Sequence, residues 1–491
     1  MKSNLLIPTM LLIAITFMGK EQVVGVQKTN LESRRIYLPL VPSEVTYREF
    51  PNQPTIFGVE ASAGRLTTEL RRTVEANAYW LRNNAHAVLW SEIEPSEGKR
   101  NWNTAHVKAI EAHMLLAAQH GLKLIQIVRG TPQWARKYVG KGSSCGPIDQ
   151  HKYRAFAAFM AELVKRYSAP PFNVRHWEIW NEPDAPTLYG DNAEQVFGCW
   201  AEPNVDPYYS YGGLHYGFML QNVYPAVKAA DPESKVILGG LLLSCHPTFE
   251  KPGDEICGKI SGGFLEGVFK GGGGQYFDML AIHAYDVWFG GTRYANEQWF
   301  SGSENSGPSL AAKTDYVRSV MVRHGVGDKP IINTEYALIC WQCKTVPYEF
   351  EVAKANYIVH ANVIAMAKGL EANIWYSVSG WDTHQTQLIN ANGEPNLAHT
   401  AFRVSAERLG SATFIQTERG EPKLNIYVFR RGDQIMWVIW SKNGQPVIFT
   451  LPEQPYNIID GFGNSIETNR LLSITATPLF IEFAPLPLPG R

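Results

Sequence analysis

Two glutamates carry the first chemical signal. Glu182 lies just past the apolar run His176–Trp180, in the stretch WEIWNEPDAP, and Glu335 closes the run Ile331–Glu335, in KPIINTEYALICW. Both runs are short, apolar and rich in β-branched or aromatic residues, which reads as a strand ending in a carboxylate. Two carboxylates across a sugar-sized cleft are the minimum equipment for cleaving a glycosidic bond. One must hold a proton near neutral pH to give to the leaving oxygen. The other must stay ionised to attack the anomeric carbon, so their environments must push their pKa values apart. A lone glutamate at a strand end reads as a solvated loop residue; two at matching positions of one repeated pattern weaken that reading. Glu178 sits inside the strand, four residues before Glu182, and reads as structural. Glu94, in an Ile-Glu-Pro run, reads as a residue that orders the loop after the second strand.

Neighbouring residues fit the same chemistry. The amide of Asn181 can hold a sugar 2-hydroxyl, a contact that tightens in the transition state; its alternative role is a strand-end cap. His283 and Tyr285 are two residues apart, so on a strand they share one face. If that face is the cleft, Tyr285 can donate to Glu335 and keep it ionised and oriented. His283 would then bind substrate or join the hydrogen-bond network. The alternative for both is a satisfied core position.

Positioning such groups needs a scaffold, and short apolar runs alternate with amphipathic ones from about Pro54 to Leu409. Strands are expected at Ile56–Val59, Ala87–Trp90, Lys123–Val128, His176–Trp180, Val236–Gly239, Met279–His283, Ile331–Glu335 and Asn373–Val378. Helices are expected between them, at Leu66–Asn77, Thr104–His120, Tyr153–Tyr167, Tyr216–Ala230, Thr314–His324 and Glu349–Lys368. Eight such alternations predict an α/β fold, a (β/α)8 TIM barrel over residues 52–410, whose catalytic groups project from the C-terminal ends of the strands. A doubly wound sheet is the runner-up, but no Gly-rich phosphate loop follows the first strand. Lys270–Gln275, KGGGGQ, reads as a flexible connector. The long segments Asp184–Gly213 and Tyr285–Ser309 read as functional loops. Residues 411–485 alternate strand and turn, with turns at Arg431-Gly432-Asp433 and Asn443-Gly444. They predict a small antiparallel, sandwich-like β domain that either binds sugar or braces the barrel. Residues 486–491 read as a tail.

Trp180-Asn181-Glu182-Pro183 resembles the strand-four signature of the clan A glycoside hydrolases. The longer EIWNEPD is similar to glycoside hydrolase family 39, which includes β-xylosidases, α-L-iduronidases and enzymes cleaving bacterial exopolysaccharides. LWSEIEPSEGKRNWN (Leu89–Asn103), RGTPQW (Arg129–Trp134) and FDMLAIHAY (Phe277–Tyr285) are similar to the same group. The resemblance covers the barrel and leaves out the first 50 residues. It implies a retaining hydrolase of oligo- or polysaccharides with Glu182 as acid/base and Glu335 as nucleophile, needing no metal or organic cofactor. It also implies that Trp375 is the sugar platform, with Trp381 as its rival, and adds Trp134 as a substrate-binding candidate. Transglycosylation on the same site, or a non-catalytic carbohydrate-binding barrel, are the alternatives. A metal-dependent barrel hydrolase would need clustered ligands at strand ends, and no His-x-His stands at strand one.

Composition narrows the classes further. With 491 residues and 45% hydrophobic content the chain can bury a large core. A formal net charge of −1 without long charged blocks gives no footing for nucleic acid or an anionic lipid surface. Residues 1–25 read as a signal peptide or an N-terminal anchor: one lysine, then an apolar run from Leu5 to Met18, short for a membrane span. Val23-Val24-Gly25 is the cleavage candidate, and residues 26–51 read as an extension. The implied location is secreted or extracytoplasmic, free or held at the surface. The oligomeric state is not legible. The six cysteines, Cys145, Cys199, Cys245, Cys257, Cys340 and Cys343, then meet an oxidising compartment. Cys245 with Cys257 closes a plausible short loop. Cys340-Trp341-Gln342-Cys343 reads as a local disulfide, in preference to a redox or zinc motif. Mass spectrometry of unreduced protein from its native compartment is expected to find Cys340 linked to Cys343. Free thiols at both positions would count against the bridge and against export.

Overall fold

The computed structural model describes residues 54–61, 65–138, 145–185, 198–201, 210, 212–248, 256–299, 308–381 and 384–484. The expected leader, extension and tail lie outside them. Eight strands form the barrel: β1 (Phe57–Glu60), β2 (Trp80–Leu89), β3 (Lys123–Arg129), β4 (His176–Ile179), β5 (Lys235–Leu241), β6 (Met279–Trp288), β7 (Ile331–Ile339) and β8 (Asn373–Trp375). Each pairs in parallel with the next, and β8 pairs with β1, which closes the sheet. A helix follows every strand: α1 (Leu66–Glu75), α2 (Ala105–Gln119), α3 (Tyr153–Tyr167), α4 (Gly213–Ala230), α5 (Ile256–Lys270), α6 (Leu310–Arg323), α7 (Tyr348–Ala367) and α8 (Leu397–Leu409). This is the expected (β/α)8 barrel.

Strand alternation sorts the barrel interior into layers. The lower layer is apolar: Trp80, Ile125, Ile237, Met279, Ala281, Ile332 and Ile374 pack together. Gly58 belongs here because a Cβ would come within 2.7 Å of Trp80 Cβ. Two residues further along their strands stand Glu60, Arg82 and Glu178, all buried. A dry floor therefore supports a charged layer directly above it.

Three expectations need correction. The second strand was placed at Ala87–Trp90, yet it starts at Trp80. Trp80–Asn83 pair with β3, the register breaks between Asn83 and Val88, and pairing resumes at Val88 and Leu89. The polar Arg82-Asn83-Asn84 segment hid the first half. Glu335 was placed at a strand end, yet β7 continues to Ile339 because His283–Val287 of β6 pair with Glu335–Ile339 above the barrel rim. Lys270–Gln275 is no loose connector: Gly273 and Gly274 are buried, and a Cβ on Gly273 would meet Val268 O at 2.7 Å.

The C-terminal strands are β9 (Thr413–Glu418), β10 (Leu424–Arg431), β11 (Gln434–Ser441), β12 (Val447–Thr450), β13 (Pro455–Asp460), β14 (Leu471–Ile474) and β15 (Leu479–Phe483). Five form an antiparallel sheet in the order β9-β10-β11-β15-β13, and β12 pairs with β14. Gly432 and Gly444 take positive φ at the turns foreseen there. One sheet face joins the barrel core through Phe429, Met436, Val438, Trp440 and Phe480. Trp440 stacks on His360 of α7 at 4.4 Å between ring centres, and His360 Nε2 lies 3.1 Å from Ala476 O. That face braces the barrel.

All six cysteines pair, as Cys145–Cys199, Cys245–Cys257 and Cys340–Cys343. The last two pairs are those foreseen; the first ties the loop after β3 to the loop after β4.

Because barrel and β domain share one core, they are expected to unfold together. Trp440→Ala should cost about 3–5 kcal/mol and move a single urea transition. Two separate transitions, by fluorescence and by far-UV dichroism, would contradict the shared core.

Candidate active site

The site is organised by a residue that the sequence reading missed. Arg82 on β2 is fully buried and donates to four side chains. Its Nε reaches Glu178 Oε2 at 2.7 Å and its Nη2 reaches Glu178 Oε1 at 3.1 Å. Nη1 bonds Glu60 Oε2 at 2.8 Å and also Glu335 Oε1. Nη2 bonds Asn181 Oδ1 at 2.7 Å. The available signal was an arginine two residues after Trp80, on a strand whose first half was overlooked.

Glu182 and Glu335 come together at the mouth. With His283 they present ligand atoms that all lie within 4.8 Å of one another. Glu335 is held from two sides, by Arg82 and by the Tyr285 hydroxyl, which donates to Oε2. Among the described residues Glu182 pairs with no lysine or arginine; His283 Nδ1 lies 2.8 Å from its Oε1 and 3.4 Å from Glu335 Oε2. The backbone that aims Glu182 is unusual. Trp180 and Glu182 have φ of 76° and 50°, a left-handed region that side chains disfavour by about 1–3 kcal/mol each. Trp180 is buried and donates to Cys145 O at 3.2 Å, while Glu182 N donates to Gly240 O at 3.0 Å. Gly240 must be glycine, since a Cβ would lie 2.1 Å from His283 Nε2 and 2.7 Å from Glu178 Oε1.

Of the other candidates, Asn181, His283 and Tyr285 are all in this network. Glu178 is structural, accepting from Arg82, from Gly240 N at 2.8 Å and from Thr334 at 3.2 Å. Glu94 orders its loop, accepting from Trp90, Gly98 N and Arg100. Trp375 is not a sugar platform. It has no exposed surface: its ring packs on Tyr336 and its Nε1 donates to Thr386 O, because its place on β8 turns it outward toward the helices. Trp381 takes the open position, 38% exposed and packed at 5.9 Å on Tyr285 and 5.7 Å on Tyr376. Trp134 is partly buried against Trp90 and donates to Glu94 O. A second cavity of 550 Å³ opens between Tyr79, Lys123 and Lys235, at the start of the strands and so at the opposite mouth.

No protein-family model and no curated protein matches the sequence. Solved structures do. A family 39 glycoside hydrolase from Bacteroides cellulosilyticus WH2 aligns over 88% of this chain and 81% of its own, with TM-score 0.64 and 18% identity. A family 30 subfamily 8 xylanase from Clostridium acetobutylicum aligns over 88% and 97%, with TM-score 0.55 and 14% identity. A conserved exported protein from Bacteroides fragilis aligns over 88% and 98%, with TM-score 0.58 and 11% identity. The chain shares the fold of these structures, a (β/α)8 barrel with a β domain.

Within this barrel the two carboxyls are electrostatically unequal. Burial, then the charges of Glu335 and Asp184, holds Glu182 well above the usual carboxylate range. Burial also raises Glu335, but the Arg82 charge and the Tyr285 hydroxyl pull it back. Burial, with Arg82 and Lys313 nearby, pushes His283 well below its ordinary value, so it is neutral at pH 7. Beneath Glu182, Lys313 donates to Leu242 O at 2.7 Å and His283 O at 2.8 Å, and burial brings it down to about 8.

A raised carboxyl binds more protons folded than unfolded. Its contribution to stability is complete below the unfolded value, roughly 4.3, and is lost as pH rises through the folded value. Glu182→Gln is therefore expected to match the parent near pH 4 and to exceed its stability increasingly toward pH 8. Urea midpoints across that range measure it; equal midpoints at pH 8 would show that Glu182 is not raised.

Proposed function

We propose that the chain is a retaining glycoside hydrolase acting on oligo- or polysaccharides, with Glu335 as nucleophile and Glu182 as acid/base. The observation that carries this reading is the unequal pair itself: one carboxyl fixed by Arg82 and Tyr285, the other paired with no lysine or arginine among the described residues, with ligand oxygens within 4.8 Å. A gap this short falls below the roughly 6.5–9.5 Å at which an inverting pair seats its water against the sugar, and suits covalent attack.

In the first step Glu335 forms a bond to the anomeric carbon while the glycosidic bond breaks, and Glu182 gives its proton to the departing oxygen. In the second step Glu182 takes a proton from water, whose oxygen displaces Glu335 from the same carbon. Arg82 and Tyr285 keep the attacking oxygens ionised and aimed. Neutral His283 bridges the two carboxyls. The Asn181 amide, its oxygen taken by Arg82, turns its NH2 toward the sugar 2-hydroxyl. Trp381 supplies the apolar floor.

The trio Glu182, His283 and Glu335 is also the one cluster among the described residues spaced to hold a cation. We read it as a hydrogen-bond network, since Arg82 already supplies the positive charge and both Glu335 oxygens accept from protein donors. We also propose export: three disulfides suit an oxidising compartment, and no helix among the described residues is long and apolar enough to cross a membrane. Xylanases among the structural neighbours make β-xylosides the first probes.

Glu335→Ala is expected to abolish turnover of every aryl glycoside tested. Glu182→Gln should lose roughly 10²–10⁴-fold on poor leaving groups and far less on activated ones. Azide should rescue Glu182→Ala and yield a β-azide from a β-glycoside. NMR of the first anomer released from the unsubstituted protein should show retention. A β-azide from Glu335→Ala together with an inverted α-azide from Glu182→Ala would exchange the two roles.

A further inference from the structure

The Cys340–Cys343 segment presents a feature that the two-carboxylate mechanism does not use. Cys340 is buried at the end of β7, whereas Trp341, the next residue, is 63% exposed. Closing a disulfide over two intervening residues forces them out as a tight turn, so Trp341 stands on a rigid base. Single exposed aromatics are ordinary on protein surfaces. This one is continuous with the active site. Trp381 packs on Tyr285, which donates to Glu335. His384 stacks on Trp381 at 3.8 Å with the planes 18° apart, and Trp341 meets the other side of the chain of rings, 4.4 Å from His384 and edge-on.

The track is also fixed in place. Cys340 N donates to His384 O at 3.2 Å, and His384 N donates to Trp381 O at 2.8 Å. Gln385 Nε2 donates to Cys343 O at 3.4 Å, and Trp381 N donates to Thr386 Oγ1 at 2.9 Å. The loops after β7 and β8 are thus one unit whose exposed apolar surfaces are two indoles. Rigid indoles suit the apolar faces of sugar rings and lose little conformational entropy on binding.

Direction follows from the carboxyls. Glu335 attacks the sugar on one side of the broken bond, and Glu182 protonates the oxygen leaving on the other. The indoles come from the loops after β7 and β8 and reach the site through Tyr285, on the side of Glu335. Resting on the hydrolase reading above, we infer that Trp341 is the platform of a second sugar subsite on the glycone side. The substrate is then a carbohydrate chain with at least two sugar units before the cleaved bond, not a single terminal sugar.

The test separates this inference from the reading beneath it. On a Glu335→Gln background, calorimetry measures binding of xylose, glucose and mannose and of xylotetraose, cellotetraose and mannotetraose. At least one tetrasaccharide is expected to bind tenfold or more tighter than its monosaccharide. Adding Trp341→Ala should cut that ratio at least tenfold, and Trp341→Phe should keep most of it. Circular dichroism checks that the exposed substitution leaves the fold intact. A ratio unchanged by Trp341→Ala overturns the inference, as does a monosaccharide that binds as tightly as its tetrasaccharide, or no tetrasaccharide binding at all. Aryl glycoside turnover by the unsubstituted protein, and its loss in Glu335→Ala, reports on the hydrolase reading separately. Turnover intact beside an unchanged ratio sinks the subsite alone.

Discussion

A single guanidinium holds the charged layer of the barrel together. Arg82 is fully buried, and so are Glu60, Glu178 and Glu335, which it bonds from three different strands. Removing such charges from water carries a desolvation penalty of several kcal/mol per ion, offset only when every donor and acceptor finds a partner. The five N–H groups of arginine fit that need in a way that the point charge of lysine would not. The arrangement still leaves more carboxylates than cations, and the imbalance has a chemical use. Glu60 and Glu182 rise well above the ordinary range, mainly because they are buried, and each also feels the Glu335 charge. Glu335 is pulled back by the Arg82 charge and the Tyr285 hydroxyl, whereas Glu182 receives a hydrogen bond from neither.

Holding that difference requires a backbone that does not relax. Two residues of the Trp180–Pro183 turn are in left-handed conformations, and the turn is clamped by Trp180 to Cys145 O and by Glu182 N to Gly240 O. Gly240 admits His283 and Glu178 into van der Waals contact, which is why the network is dry and close. Strain of this kind persists only where surrounding contacts over-determine it. The shared core with the C-terminal sheet adds to that rigidity by packing Trp440 behind α7, the helix that follows the Glu335 strand.

Much of this was legible in the sequence because parallel barrel strands are buried on both faces and read as apolar runs. Every barrel strand was found, and so were both carboxyls, His283 and Tyr285. What failed was register. Arg82 escaped because the polar Arg82-Asn83-Asn84 run disguised the strand around it, and its charge is satisfied only by residues from three distant strands. Trp375 could not be told from Trp381 as the platform candidate, because a strand-end tryptophan faces cleft or helix layer according to pairing alone. Its partners Val59 and Tyr336 settle that it faces the helices. No spacing rule could have paired Cys145 with Cys199, whose proximity follows only from β3 and β4 being neighbours.

The disulfides show where the fold needed help. All three lie on the C-terminal side of the barrel: one joins the loops after β3 and β4, one closes the loop from β5 into α5, and one tightens the exit of β7. The apolar floor and the helix packing need no such staple, since burial already holds them. Loops at a barrel mouth must present side chains to within a fraction of an ångström of a productive pose. Crosslinks placed there tie loop residues to the rigid part of the barrel. Cys145 shows the coupling directly, since its own carbonyl receives the Trp180 indole and so helps hold the strained turn that aims Glu182. A distant core mutation would reach the site only through the strands, but a lost bridge would act on the carboxyls at first hand.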